Sequence, residues 1–490
     1  MQGNKRFFAT LVLTGMIAGS LLTYSVAWVM DWQGSGDSLI SSGKATSTGA
    51  TKLQISDANV KKLATAFELA GSNYYLTNVK EDELVNGAIN GLIGSLNDPY
   101  SVYMNVEEAK EFNESVIESH ISGIGCEVSL EDGRVTVISP IKGSPAEKAG
   151  IRAKDVIVSV NGDRLEGLSL NEAVQKIRGK KGTQANLEIL RPGSSTVVKL
   201  TVVRDEIDVE TVFSKYTTND KIGVIEIRQF AQNTGERFLK ELALLEKKGM
   251  KGLVIDVRNN PGGLLPVAME IVEPLVPNGK AIVKLEDRDG KIQTQLSEGE
   301  GKDYPIAVLT NKGSASASEI LAAALNESAA ATIVGEATFG KGLVQSTYDT
   351  GTGDGSTIKL TIAKWLTPKG NFVNKKGILP TVEVKQPAYF ATVSLPKDKA
   401  LKLDMIGADV VNLQEILIGL GYKPGRTDGY FDTKTAAAVK AAQSKLGLAV
   451  TGIVDAKTAT KLEEKIIEKI LDPVNDAQMK KARKVLLDKM

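Results

Sequence analysis

Short apolar runs recur through residues 206–388, and they constrain the fold more than any other feature of the chain. IGVIEI, GLVIDV, IAVL and TIV are each bounded by turn residues and read as strands. Between them, residues 234–247 and 266–276 have the spacing of helices. This alternation predicts an α/β core.

One strand-to-helix passage in that core carries chemistry. IAVL leads through NKGSASASE (residues 311–319) into an Ala- and Leu-rich helical stretch. Serine hydroxyls at a helix N-terminus lie beside unpaired amides and the positive end of the dipole, which favour a developing negative charge. A nucleophilic serine with an oxyanion site needs such a place. The plainer use of these residues is a capping box, because Ser316 and Glu319 spell S-x-x-E. The pattern does not choose among Ser314, Ser316 and Ser318.

A second segment, GEATFGKGLVQ (residues 335–345), puts Lys341 between Gly340 and Gly342. The string approaches a phosphate-binding loop. However, Gly342 stands where the metal-holding Ser or Thr belongs, and the residues that follow read as paired strands instead of a helix. The other reading is a Ser–Lys pair. A hydroxyl needs a base to become nucleophilic, and burial can lower a lysine's pKa until the amine is neutral.

Composition supports that pairing by elimination. The 490 residues include one histidine, His120, and one cysteine, Cys126. That excludes an internal disulfide, a CxxC site and a zinc cage of His and Cys ligands. Cys126, in a strand-like run, reads as a small packed residue. No metal or other cofactor is expected. Lys and Arg number 60 against 59 Asp and Glu, so no bulk attraction to nucleic acid is implied.

The motifs together resemble the carboxy-terminal processing, or tail-specific, serine peptidases. NKGSASASEI and GEATFGKGLVQ carry the resemblance, with Asp98-Pro99-Tyr100-Ser101, SGIGCEV (residues 122–128) and DVRNNPGG (residues 256–263). It covers most of residues 55–388. It implies Ser316 as nucleophile, Lys341 as general base and Gln345 orienting that lysine. It also implies main-chain amides of Ala317 and Gly262 as the oxyanion hole, although the glycine pair alone does not separate Gly262 from Gly263. Asp256 reads as a residue that holds this turn. A homodimer, formed through an N-terminal helical arm, is a further implication.

Around the core the chain divides into further units. Residues 116–205 form short strands split by turns, with short helices after Ser144 and Ser169, and resemble a PDZ domain. The Gly123-Ile124-Gly125 turn would offer amides to the carboxylate of a substrate's C-terminal tail, while the tail adds a strand to the sheet edge. Arg178 ends the second of those helices. It reads either as a cation favouring the helix dipole or, by the resemblance, as a sensor of the docked tail acting on Gln345 and Lys341.

Residues 7–30 are apolar and long enough to span a bilayer, and the preceding Lys5 and Arg6 place the N-terminus in the cytoplasm. The expectation is therefore a membrane anchor in residues 1–32 with the catalytic part outside the cytoplasm. Ser25-Val26-Ala27 also offers a signal-peptide cleavage site, which would make the protein secreted. Residues 33–52 read as a linker and 53–115 as a helical region with helices near 57–75 and 81–96. The peptidase core takes 206–388, and 389–407 reads as a second linker.

Residues 408–466 contain a repeat, Gly429-x-x-Asp432-x-Lys434-Thr435 and Gly452-x-x-Asp455-x-Lys457-Thr458, each placing an Asp cap before a helix. This unit resembles three-helix peptidoglycan-binding modules. Residues 467–490 read as a charged helical tail. The expected fold is α/β multidomain: a serine-peptidase core, an inserted PDZ-like β-rich domain, an N-terminal helical arm and a small all-α module. The expected activity is endopeptidase cleavage of exported proteins recognised by their tails. The alternative is a scaffold that binds tails and cell wall, which would need neither Ser316 nor Lys341.

Overall fold

The computed structural model describes residues 54–490 except 77, 114–119, 132, 142–143, 153–154, 169, 192–196, 209 and 394. The expected membrane segment, the first linker and the Ser169 cap lie outside the described residues. Among the described residues no helix is long and apolar enough to cross a membrane.

Two helices open the described chain, α1 (Asp57–Asn73) and α2 (Glu81–Gly94). Strand β1 (Val102–Met104) and α3 (Val106–Phe112) follow, with Asn105 making a reciprocal cap with Glu108. The next unit runs through β2 (His120–Gly123), β3 (Cys126–Glu131), β4 (Arg134–Pro140), the short α4 (Pro145–Lys148), β5 (Val156–Val160) and β6 (Asp163–Arg164). It continues through α5 (Leu170–Ile177), β7 (Gln184–Leu190), β8 (Val197–Val203) and β9 (Asp205–Asp208). Its sheet has the order β3-β4-β5-β7-β8, so β3 is an edge strand among the described residues, while β2 pairs with β9 as a separate ribbon. Cys126 packs against this unit's core, and burial pushes its thiol up to about 12.

The α/β core contains β10 (Val212–Thr217), β11 (Ile222–Ile227), α6 (Thr234–Lys247), β12 (Gly252–Asp256) and α7 (Leu265–Val272). It continues with β13 (Ala281–Asp287), β14 (Ile292–Leu296), β15 (Ile306–Thr310), α8 (Ala317–Ser328), β16 (Thr332–Gly335), β17 (Leu343–Asp349), β18 (Thr357–Leu366) and β19 (Val382–Glu383). Strands β11, β12, β15, β16 and β19 pair in parallel in that order. The middle three are buried at every residue or nearly so, as parallel strands covered on both faces must be. A second, antiparallel sheet has the order β1-β18-β13-β14, with β17 also on β18.

Three helices form the last module: α9 (Ala408–Gly419), α10 (Thr433–Lys445) and α11 (Ala456–Leu471). Asp432 and Asp455 cap α10 and α11 by accepting the Thr435 and Thr458 amides at 2.8 Å. Two expectations need correcting here. Residues 389–407 are not a free linker, because Leu395 and Leu401 are buried in the module's core and Leu401 exchanges backbone hydrogen bonds with Val454. Residues 467–490 are not one helical tail either. The chain finishes α11, turns at Asp472, and forms α12 (Ala477–Leu487). Ala482 and Leu486 of α12 are buried against Ile222, Val254, Ala307, Leu309 and Val334 of the parallel sheet. The sheet needs apolar cover on that face, and α12 supplies it.

Candidate active site

Three neighbouring parallel strands end at one edge, and each leads into a motif segment. Strand β12 leads to residues 256–263, β15 to 311–316 and β16 to 335–341. Ligand and catalytic groups in open α/β sheets gather at these carboxyl ends. Side chains lace the first two loops together. Asn311 Oδ1 accepts the Asn259 amide at 2.9 Å, and Asn311 Nδ2 donates to Asn259 Oδ1 at 2.8 Å.

The three serines differ in what they touch. Ser314 Oγ donates to Val257 O at 2.8 Å, and Ser318 Oγ donates to Asn260 O at 2.9 Å. Ser316 Oγ is buried and has no hydrogen-bond partner among the described residues. Its backbone is also unusual, with φ 58° and ψ −115°. A positive φ is costly for a residue with a Cβ, and such strain persists where the surroundings over-determine it. The capping box is therefore one-sided: Glu319 Oε2 accepts the Ser316 amide at 2.8 Å, while the serine hydroxyl is unpaired.

Glu319 does more than cap. It is fully buried, and its oxygens also accept the Lys341 amide at 2.8 Å, the Gly340 amide at 2.7 Å and the Thr338 hydroxyl at 2.5 Å. One carboxylate thus holds the serine turn and the lysine turn as near neighbours. Burial raises its pKa, against the pull of those hydrogen bonds. Sequence reading gave this residue only its helix-capping use, because the donors from residues 338–341 are distant in the chain.

Lys341 is 0% exposed. Burial brings its pKa down to about 7; Lys359 pushes the same way, and Glu319 and Asp98 oppose. Its ammonium position is 5.0 Å from the Tyr100 ring centroid, and its carbonyl accepts the indole N–H of buried Trp365 at 2.8 Å. Gln345 is 0% exposed. It sits at a register shift between β17 and β18, as bulges that re-aim side chains beside active sites do. Gln345 Nε2 donates to Thr361 Oγ1 at 3.2 Å, and Gln345 Oε1 is buried with no partner among the described residues. The Asp98–Ser101 segment is wired into the same place. Ser101 Oγ donates to Asp98 Oδ2 at 2.6 Å and accepts the Thr361 amide at 3.0 Å.

The expected oxyanion donors are differently disposed. Ala317 is the first residue of α8, where a helix amide has no intrahelical acceptor. Gly262, with φ 110°, lies so close to the serine turn that a Cβ there would meet Ala315 O and Ser316 Cβ at 2.8 Å. Its amide donates to Asn260 Oδ1 at 2.8 Å, so the donor that the resemblance implies is engaged in this structure. Asp256 accepts from Arg258 Nε at 2.9 Å and Nη2 at 2.6 Å, and so holds the turn.

The expected tail-binding residues lie in the β2–β9 unit. Ile124 O accepts the Ala146 amide, and Gly125 O accepts the Ile141 amide and the Ser144 hydroxyl. Across a trans peptide the amide points opposite to the carbonyl, so the Gly125 and Cys126 N–H groups face away from these donors. A Cβ on Gly125 would strike Ser144 Cβ at 2.4 Å, and its φ of 79° also calls for glycine. Arg178 follows α5, and its backbone and Cγ lie 3.6 and 3.8 Å from the Cβ position of Gly123. It is thus beside the turn and makes no hydrogen bond or ion pair with Gln345 or Lys341 among the described residues.

Comparisons with known proteins agree with this architecture. Residues 221–384 match the model of peptidase family S41, 136–191 a PDZ domain, 406–462 a peptidoglycan binding domain and 16–108 the N-terminal domain of the activating protease CtpB. The carboxy-terminal processing protease CtpB of Bacillus subtilis (strain 168) is 46% identical over 433 residues, covering 88% of this chain and 89% of the relative. CtpA of the same organism is 41% identical over 493 residues, covering all of both chains. Among solved structures, a photosystem II D1 C-terminal processing protease aligns over 68% of this chain and 94% of its own at 29% identity, with a TM-score of 0.42. The fold and the matched families define a serine peptidase with a PDZ domain. The chain belongs to the carboxy-terminal processing proteases of peptidase family S41.

Proposed function

We propose that this protease works through a Ser316–Lys341 dyad assisted by Gln345, on exported proteins whose C-terminal tails enter its PDZ domain. One observation carries the reading. Of the three serines in the run, Ser316 alone has an unengaged hydroxyl among the described residues, and Glu319 ties it to a lysine whose pKa burial brings down to about 7.

In this mechanism Ser316 Oγ attacks the peptide carbonyl while Lys341 Nζ takes its proton, and the Lys341 ammonium then protonates the leaving amine. Gln345 Oε1 accepts from the ammonium. Ala317 N–H receives the oxyanion, joined by Gly262 N–H once that amide exchanges Asn260 Oδ1 for the substrate oxygen. Water, deprotonated by Lys341, releases the acyl group. Ser316 is 0% exposed, so a peptide reaches it only after the site opens. A tail docked at Gly123–Ile124–Gly125 and read by Arg178 would supply that signal.

Three partners go with the activity. A groove of about 620 Å³ between α1 and α2 is lined by Leu63, Phe67, Val85 and Ile89, and α1 has no buried residue, which supports a homodimer through this arm. The three-helix module would bind peptidoglycan, and residues 7–30 would hold the protein at the membrane or be removed on export.

The test is mass spectrometry of extracytoplasmic proteins from cells carrying the parent or Ser316→Ala, read for trimmed C-termini. Ser316→Ala and Lys341→Arg should each lose ~10³-fold or more of kcat, and parent kcat/KM should rise with pH through about 7. An active Lys341→Arg protein would overturn the dyad, because arginine does not give up its proton.

A further inference from the structure

A second lysine is buried in this region. Lys359, on β18, is 4% exposed. Its Nζ lies 5.4 Å from the Phe112 ring centroid, and it has no carboxylate within ion-pairing distance among the described residues. Asp98, the acid facing it, is engaged with the Ser101 hydroxyl and the Tyr100 amide. Burying a cation without a counter-ion is costly, so its presence calls for an account.

The sheet register supplies one. Lys359 pairs with Thr347 and Val102, and Thr361 pairs with Gln345. Residues two apart on a strand share a face, so Lys359, Thr361 and Gln345 stand on one face of the β17–β18 hairpin. That face also carries buried atoms with no partner among the described residues: Thr347 Oγ1, Thr357 Oγ1 and Gln345 Oε1. It is therefore a buried polar surface running from Lys359 to Gln345. In such a medium like charges repel over longer distances than in water.

We propose that Lys359 is a positioning residue of this site: its buried ammonium, offset in part by Asp98, opposes a second positive charge on Lys341 and so favours the neutral amine that the dyad needs. The proposal rests on the reading of Lys341 as general base. Among the described residues, the groups facing Lys341 include Lys359, Glu319, Asp98 and the Tyr100 ring, and those facing Lys359 include Asp98 and Phe112. Burial lowers both, Lys341 to about 7 and Lys359 to about 8, and Lys359 adds to the lowering of Lys341.

The test is the pH profile of kcat/KM for the full-length parent, Lys359→Met, Lys359→Arg and Lys341→Met. Lys359→Met should move the acid limb up by about one pH unit, which is roughly a tenfold loss on the limb and little on the plateau. Lys359→Arg, which keeps the charge, should hold the limb near the parent's. A limb unmoved in Lys359→Met overturns the proposal, whereas an active Lys341→Met overturns the dyad reading beneath it. Should Lys359→Met fail to fold, NMR of 13C-labelled lysine in the parent decides. Two lowered lysine titrations are expected, and the lower one alone should vanish in Lys341→Met. If the upper one vanishes instead, Lys359 is already neutral when Lys341 titrates and the proposal fails.

Discussion

Glu319 shows what a single side chain can hold together. Two oxygens receive three backbone amides and one hydroxyl from two separate turns. A glutamine in its place offers one acceptor oxygen and brings two donors of its own. Glu319→Gln should therefore leave buried amides unpaired and cost about 2 kcal/mol or more. Urea denaturation should show the loss, and turnover should fall with it. Unchanged midpoint and kcat would mean that the carboxylate is dispensable. The three serines looked equivalent in sequence because a hydroxyl's partner comes from tertiary structure. Val257 and Asn260 claim two of them, and neither contact has a local signature. Lys359 was invisible for a related reason. A lysine in an alternating strand reads as a solvent-facing residue, and nothing local says that Phe112 and Asp98 cover it.

At the scale of elements, strands and helices with strong periodicity were legible. The expected helix at residues 234–247 forms at those bounds, and the apolar runs became the parallel strands. The last helix was the failure. An amphipathic pattern says that a helix packs, without saying against what. Helix α12 covers the core sheet more than a hundred residues earlier in the chain, through Leu486 and Ala482. Arg258, just after β12, also donates to Asp476 Oδ2 at 2.8 Å at the start of that helix. Leu486→Ala should cost about 2–5 kcal/mol, seen as a lowered melting temperature of the peptidase. A melting temperature equal to the parent's would show that α12 does not stabilise the sheet.

For the whole molecule, the geometry around Asp476 decides how the helical module is attached. Gln386 Nε2, at the module's entrance, donates to Asp476 Oδ1 at 2.6 Å, and Gln386 Oε1 accepts the Ala477 amide at 3.1 Å. The two ends of the module thus meet on the core. Truncation at residue 400 would strip α12 from the sheet, whereas replacing residues 388–474 by a short Gly-Ser linker keeps it. That excision should spare cleavage of a soluble peptide and reduce pull-down on peptidoglycan. Loss of cleavage with α12 in place would mean that the module itself supports catalysis.

Because both ends are anchored, the module is a handle closed on the body at two points and not a tether with a free end. One cut anywhere in the handle would leave both fragments seated, since α12 carries its own apolar face and ion pair. A singly nicked enzyme should therefore migrate as two bands under denaturing conditions and as one particle in native mass spectrometry. If the module binds peptidoglycan as proposed, the nicked enzyme should also stay on the wall. Shedding from that surface would take two cuts.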